Sequence, residues 1–296
     1  MAIPRIATYP MPATVPESRV QWPFEPSRAA LLVHDMQDYF LDFYDSVAAP
    51  VPQLLSHLRQ LIDMARARGM PVFYTAQPTR QEPCARGLLT DMWGPGLTAR
   101  PERSGICAEL APLPQDVVLD KWRYSAFQRS SLRERLQALE RDQLVIGGVY
   151  AHIGCLMTAC DAFMHDIKPF VVADALADFS TREHAMALEY VASRCGRVVS
   201  TAELLQAAAA GGCASVVPAS LADLKALVAR ELRIDLRELN DDDNLVNWGL
   251  DSIRIMAWVE RWRVQRPAIE FVHLAAEPTL TAWWRLLRDA SAPATA

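Results

Sequence analysis

Between residues 29 and 199 the chain alternates short apolar runs with longer amphipathic stretches. The runs fall at 29–33, 71–75, 117–119, 143–149, 169–173 and 197–199, and several are β-branched and apolar at successive positions. That is the pattern of strands covered on both faces, as in a parallel sheet. Within residues 51–68, Leu54, Leu55, Leu58, Leu61, Ile62 and Ala65 fall on one stripe and Gly69 supplies a stop, which predicts an amphipathic helix. Six such units predict an α/β domain, a doubly wound parallel six-stranded sheet. Ligands in that architecture bind beyond the carboxyl ends of the strands. Asp35, Gln77, Lys121 and Tyr150, each at or just past a run, are therefore the first positions to inspect.

The alternation ends near Leu205. The stretch 206–218, QAAAAGGCASVVP, is small, uncharged and broken by Gly-Gly, and reads as a linker, with a helix end as the alternative. Ser220 followed by Asp223 resembles a capping box, and 220–234 continues with Leu221, Leu224, Leu227, Val228 and Leu232 as an apolar stripe. Helical patterns at 252–262 and 279–287 complete a small all-α bundle. The expected boundaries are 1–206 for the α/β domain, 207–219 for the linker, 220–290 for the bundle and 291–296 for a tail.

Composition agrees with two globular domains: 296 residues, 51% hydrophobic and 22% charged. A net charge of −5 with no basic block argues against nucleic acid. The cysteines, at 84, 107, 155, 160, 195 and 213, form no CxxC and no metal-ligand spacing with histidine, so neither a zinc site nor a disulfide framework is expected. Prolines at 4, 10, 12, 16, 23 and 26 exclude a signal peptide, and no apolar run is long enough to span a membrane, so the expected compartment is the cytoplasm. Five of the eight tryptophans lie near the C-terminus: Trp258, Trp262, Trp283 and Trp284 suit the core of a small bundle, and Trp248 is ambiguous.

Within the bundle, Asp241-Asp242-Asp243-Asn244-Leu245 precedes Trp248-Gly249-Leu250-Asp251-Ser252-Ile253. Taken singly, Ser252 is a helix N-cap and the aspartates a solvated loop. Together they resemble the acyl and peptidyl carrier proteins, which implies 4′-phosphopantetheine carried covalently on Ser252. A phosphodiester at a helix N-terminus lies in a favourable field. Met256 is one turn on and shares that face, so with Phe271 and Ala275 it is a candidate partner-facing patch; a core methionine is the alternative.

The stretches FEPSRAALLVHDMQDYF, VFYTAQP, LLTDMWGPGL, KWRYSAF, GVYAHIGC and DIKPFVVADALADFS resemble the isochorismatase-like hydrolases. Amidases of that family use an Asp, a Lys and a nucleophilic Cys; here the cysteine's position falls on Gly154, with Cys155 one residue beyond. Consecutive helical residues point about 100° apart, so Cys155 is expected to face away and pack. From about Ala2 to Leu287 the chain is similar to bifunctional isochorismatase/aryl carrier proteins of enterobactin-type siderophore biosynthesis.

That resemblance implies hydrolysis of the vinyl ether of isochorismate to pyruvate and 2,3-dihydro-2,3-dihydroxybenzoate without a metal. It also implies carriage of activated 2,3-dihydroxybenzoate as a phosphopantetheine thioester. Asp35 is the candidate general acid, poised mainly in the substrate complex; Lys121 and Gly154 complete the expected catalytic set. Arg86 and Lys121 suit the substrate carboxylates, Gln77 a hydroxyl or carboxylate, and Trp93 and Phe40 the ring. Tyr150 and the Gly154 N–H suit developing oxygen charge. Asp38 is a weaker competitor for the acid, His34 is expected to pack, and His152 has no assigned role. Implied partners are a phosphopantetheinyl transferase, a 2,3-dihydroxybenzoate-AMP ligase, a condensation domain of a nonribosomal synthetase, and a second copy through the α/β domain. The competing readings are a carrier module with a silent α/β domain and a cysteine amidohydrolase using Cys155.

Overall fold

The computed structural model describes residues 3–211, 217–218, 220–232, 234–263, 266 and 269–289. It forms two compact units, Met1–Gly211 and Gly212–Ala296. In the first, strands β1 (Ala29–His34), β2 (Val72–Ala76), β3 (Val117–Asp120), β4 (Gln143–Val149), β5 (Lys168–Ala177) and β6 (Arg197–Val199) make one parallel sheet in the order β3-β2-β1-β4-β5-β6. All residues of β1 and β4 are buried, which is why their sequences read as continuous apolar runs.

The helices of this unit are α1 (Asp38–Leu41), α2 (Val51–Ala67), α3 (Pro83–Arg86), α4 (Leu89–Trp93), α5 (Leu132–Ala138), α6 (Leu156–Met164), α7 (Thr181–Arg194) and α8 (Thr201–Gly211). Strand alternation divides the core into two layers. Leu31 and Val33 of β1 pack with Leu54, Leu58 and Leu61 of α2 and with Leu204 of α8. Ala30 and Leu32 pack on the other face with Leu132, Leu156 and Leu188 from α5, α6 and α7. The sequence-predicted helix at 51–68 forms with its stripe of Leu54, Leu58, Leu61, Ile62 and Ala65 buried.

Two elements depart from expectation. The fifth strand does not stop at 173: β4 advances from Ile146 to Gly148 while β5 advances from Val171 to Leu176, so a bulge carries the strand on to Ala177. Asp174 in the bulge breaks the apolar pattern; its Oδ1 accepts from the Thr201 N–H and hydroxyl, both at 2.8 Å, anchoring the start of α8. The stretch read as linker begins as helix, because α8 continues through four alanines to Gly211 and alanine is the strongest helix former. Residues 212–216 and 219 of that stretch, and the expected tail 291–296, lie outside the described residues.

The second unit contains α9 (Leu221–Leu232), α10 (Ser252–Arg263), α11 (Phe271–Ala276) and α12 (Leu280–Asp289). Ser220 caps α9, accepting from the Asp223 N–H at 3.1 Å and donating to Asp223 Oδ2 at 2.7 Å. The core is aromatic. Trp258 and Trp262 stack with centroids 6.0 Å apart, and Trp283 lies edge-on to Trp258 at 5.6 Å. Trp283 Nε1 donates to the Leu274 carbonyl at 2.8 Å. Trp284 and Trp248 are half-buried against the same core. Among the described residues no helix is long and apolar enough to cross a membrane.

Candidate active site

In the strand order found here the sequence of neighbours reverses between β1 and β4, and a crevice opens beyond their carboxyl ends. Asp35 follows β1, Gln77 follows β2, Lys121 follows β3 and Tyr150 follows β4; all four line one cleft. Phe40, Arg86, Trp93 and Gly154 line it too. Eight expected positions that span 120 residues of sequence are thus brought together by parallel pairing.

Asp35 turns off the end of β1 in a left-handed conformation, φ +49°. Strand register sets Thr75 opposite His34, and from there Thr75 Oγ1 accepts from the Asp35 N–H at 3.0 Å and donates to Asp35 Oδ1 at 2.6 Å. Lys121 Nζ donates to the other oxygen, Oδ2, at 2.8 Å. Asp35 and Lys121 are only 5% and 4% exposed, so water screens this pair weakly.

Arg86 is 4% exposed, with Nε on the Gly94 carbonyl at 2.8 Å and Nη1 on Gln81 Oε1 at 2.6 Å. Among the described residues no carboxylate reaches ion-pair distance of it, and burial holds its pKa below the ordinary guanidinium value. A buried cation without a counterion, facing a cleft, calls for an anionic ligand. Gln77 places its Oε1 3.5 Å from Arg86 Nη1, and its backbone is bracketed by Gln37, which accepts from the Gln77 N–H at 2.7 Å and donates to the Gln77 carbonyl at 3.0 Å.

Aromatic rings make one wall: Phe40 lies edge-on to Tyr150 at 5.8 Å, and Phe179 to Tyr150 at 4.8 Å and to Trp93 at 6.1 Å. Burial raises the Tyr150 phenol well above its ordinary pKa, and its hydroxyl donates to the Phe40 carbonyl at 2.9 Å. The hydroxyl is therefore committed to the fold, and Tyr150 contributes its ring to the wall. Trp93 Nε1 donates to the Tyr124 hydroxyl at 2.8 Å.

Gly154 sits in a wide helical turn, Ala151–Cys155, closed by the Cys155 N–H on the Tyr150 carbonyl at 3.3 Å. Cys155 does not line the cleft. It packs in the α6 and α7 layer at 1% exposure, and burial, aided by the Asp35 charge, raises its thiol well above the ordinary value. His34 is fully buried with Nδ1 2.9 Å from the Val149 oxygen, and burial together with Lys121 pushes its pKa down to about 4. Asp38 opens α1 with its carboxylate 3.6 Å from Arg103. His152 pairs through Nδ1 with Asp178 Oδ1 at 2.5 Å, outside the cleft lining.

Thr75, Tyr124 and Phe179 belong to the site without having been singled out in the sequence. Phe179 lies just past the true end of β5, and the same strand-end reasoning finds it once the bulge is allowed for. Thr75 carries no local signal, since its role depends on which strand lies beside β1. Among the described residues no group of three or more His, Cys, Asp or Glu is arranged to hold a metal.

In the second unit Asp251, not Ser252, caps α10: its Oδ1 accepts from the Arg254 N–H at 2.9 Å. Ser252, the first residue of that helix, is exposed and its hydroxyl engages no group among the described residues. Met256 on α10 is 55% exposed and Ala275 on α11 is exposed, whereas Phe271 is half-buried against the core.

An isochorismatase domain model matches residues 29–203, and a phosphopantetheine attachment site model matches residues 222–286. The chain is 51% identical over 289 residues to enterobactin synthase component B of Escherichia coli (strain K12), covering 97% of this chain and 98% of that one. It is 46% identical over 302 residues to an isochorismatase of Bacillus subtilis (strain 168), covering 98% and 97%. The solved structure of an isochorismatase family protein from Burkholderia thailandensis aligns with a TM-score of 0.57 at 25% identity, covering 66% of this chain and 100% of that one.

Proposed function

The chain belongs to the isochorismatase family and carries a phosphopantetheine-attachment domain, and from that premise we propose that its two units make an aryl acid precursor and carry the activated aryl acid. The first unit hydrolyses isochorismate. Asp35 delivers a proton to the methylene carbon of the enolpyruvyl vinyl ether; the resulting oxocarbenium ion is trapped by water as a hemiketal, which collapses to pyruvate and 2,3-dihydro-2,3-dihydroxybenzoate. The observation that carries this reading is a cleft lined by a carboxyl group, Asp35, bonded to Lys121 at 2.8 Å, and among the described residues by no cysteine: position 154 is glycine and Cys155 is buried in the core.

The remaining groups fit a dianionic substrate. Arg86, without a carboxylate partner among the described residues, suits one carboxylate, and Lys121 lies beside Asp35 to meet another. Two carboxylates entering a desolvated cleft favour the neutral, proton-bearing form of Asp35, against the pull of Lys121 toward its ionised form. Gln77 addresses a hydroxyl or carboxylate, Phe40 and Trp93 wall the ring, and Gly154 leaves room for the enolpyruvyl group. General-acid catalysis of this kind contributes about 10²–10⁴-fold. Incubation with isochorismate should release pyruvate, and Asp35→Ala should lower kcat by about that factor. No pyruvate from the wild type, or full activity in Asp35→Ala, rejects the assignment.

The second unit presents Ser252 Oγ for phosphopantetheinylation. That arm supplies a thiol for the activated aryl acid, 2,3-dihydroxybenzoate. Asp251, by capping α10, frees the Ser252 hydroxyl, and Asp241, Asp242 and Asp243 offer an acidic approach for basic surfaces of a modifying transferase. An AMP ligase that loads the acid and a synthetase condensation domain that accepts it are the partners this role requires, with Met256, Phe271 and Ala275 as the contact patch. The setting we infer is cytoplasmic, with self-association through the α/β unit. Treatment with a phosphopantetheinyl transferase, Mg²⁺ and coenzyme A should raise the intact mass by one phosphopantetheine. A gain that persists in Ser252→Ala moves the site elsewhere.

A further inference from the structure

His34 lies beneath the cleft and takes no part in the reaction above. Its Nδ1 is 2.9 Å from the Val149 carbonyl oxygen, so Nδ1 is the nitrogen that bears the hydrogen in the neutral ring. Its Nε2 is 3.3 Å from the Thr158 hydroxyl, which itself donates to the Gly154 carbonyl at 2.7 Å and accepts from the Ala126 N–H at 2.9 Å. The ring is thus tied to the end of β4 through Nδ1, while the Thr158 hydroxyl spends its one hydrogen on the Gly154 carbonyl and only lies beside Nε2. Swinging the ring aside breaks the buried Nδ1 bond to Val149, at a cost of about 1–3 kcal/mol.

Gly154 faces this ring at contact distance. A Cβ at position 154 would stand 2.9 Å from His34 Nε2 and 3.1 Å from Nδ1, with Cε1 nearer still. Those three atoms are one edge of a fully buried imidazole, not the loose end of a flexible side chain. Backbone packing pins the other side of His34: a Cβ at Gly148, φ +124°, would stand 2.8 Å from the His34 nitrogen. The backbone that carries the ring is thus packed closely against β4.

The geometry points to His34 and Gly154 as a steric couple that determines what chemistry the cleft can host. The imidazole occupies the volume in which any side chain at position 154 would begin, so the cleft shared by Asp35 and Lys121 is closed to a nucleophile at that position. Exchanging glycine for cysteine alone would not open the site to thiol chemistry; the residue at 34 must shrink with it. His34 is in this sense a specificity-determining residue that never touches substrate. Packing alone sets this couple, and melting and alkylation read it without the isochorismate reaction.

The test compares Gly154→Ala, His34→Ala and the double variant by thermal melting. Gly154→Ala is expected to melt well below the parent, and adding His34→Ala is expected to raise the melting temperature again, a strong departure from additivity. A second readout follows the thiol itself. In His34→Ala/Gly154→Cys, iodoacetamide should alkylate position 154 at least about tenfold faster than the buried Cys155 of the same chain, as located by peptide mass spectrometry. Gly154→Ala as stable as the parent, a double variant no more stable than Gly154→Ala, or a thiol at 154 no faster than Cys155 overturns the proposal.

Discussion

Both oxygens of Asp35 are engaged, Oδ1 by the Thr75 hydroxyl and Oδ2 by Lys121, so its orientation is fixed before substrate arrives. The carboxylate is thereby aimed into the cleft, and in the proposed reaction it takes up its proton with bound substrate, whereas Cys155 is packed in the core. Cys155→Ala is expected to keep near-wild-type pyruvate release, and a loss of more than about tenfold would revive a thiol mechanism. His34 gives a second consequence at this scale. Its folded pKa of about 4 lies below the roughly 6.5 of an unfolded histidine, so between those values the unfolded chain binds more protons. Its contribution is fully present above pH 6.5, declines as pH falls, and is lost below pH 4, amounting to about 3 kcal/mol. His184, also pushed down by burial, acts in the same direction. Denaturant unfolding at pH 7 and at pH 4.5 should show the wild type losing stability, and His34→Gln losing distinctly less; equal losses in the two would refute the assignment.

At the scale of elements, apolar patterning reads well where burial is complete. The runs at 29–33 and 143–149 lie within β1 and β4, whose residues are buried throughout, because strands covered on both faces can be apolar at successive positions. It fails where a polar residue serves tertiary structure: Asp174 in the β5 bulge interrupts the run and hides Phe179 at the strand's true end. Capping chemistry is legible but shifts by a residue, with Asp251 taking the role that Ser252 equally suits on sequence. In α12, Trp283 is fully buried against Trp258 and hydrogen-bonded to Leu274. Truncating such a tryptophan costs about 3–5 kcal/mol, close to all that a single core of this size supplies. Trp283→Ala should therefore unfold the bundle, read as loss of near-ultraviolet circular dichroism and of modification at Ser252. A variant modified as readily as the wild type would show the aromatic core to be dispensable.

At the scale of the whole molecule, each unit has its own core and its own chemistry. Crossed variants make this quantitative: Ser252→Ala should release pyruvate at the wild-type rate, and Asp35→Ala should accept phosphopantetheine as readily as the wild type. A cross-effect above about tenfold in either assay would mean that the two activities are coupled. Periodicity, capping residues and the carrier-like GLDS element are properties of neighbouring residues, and so the strands, the first long helix, the carrier bundle and the strand-end positions could be read directly from the chain. The pairing of β1 with both β2 and β4 could not, because a parallel crossover separates partners by dozens of residues and leaves no local trace. Only that pairing sets Thr75 on Asp35, commits the Tyr150 hydroxyl to Phe40, and lays the His34 ring in the space beside Gly154.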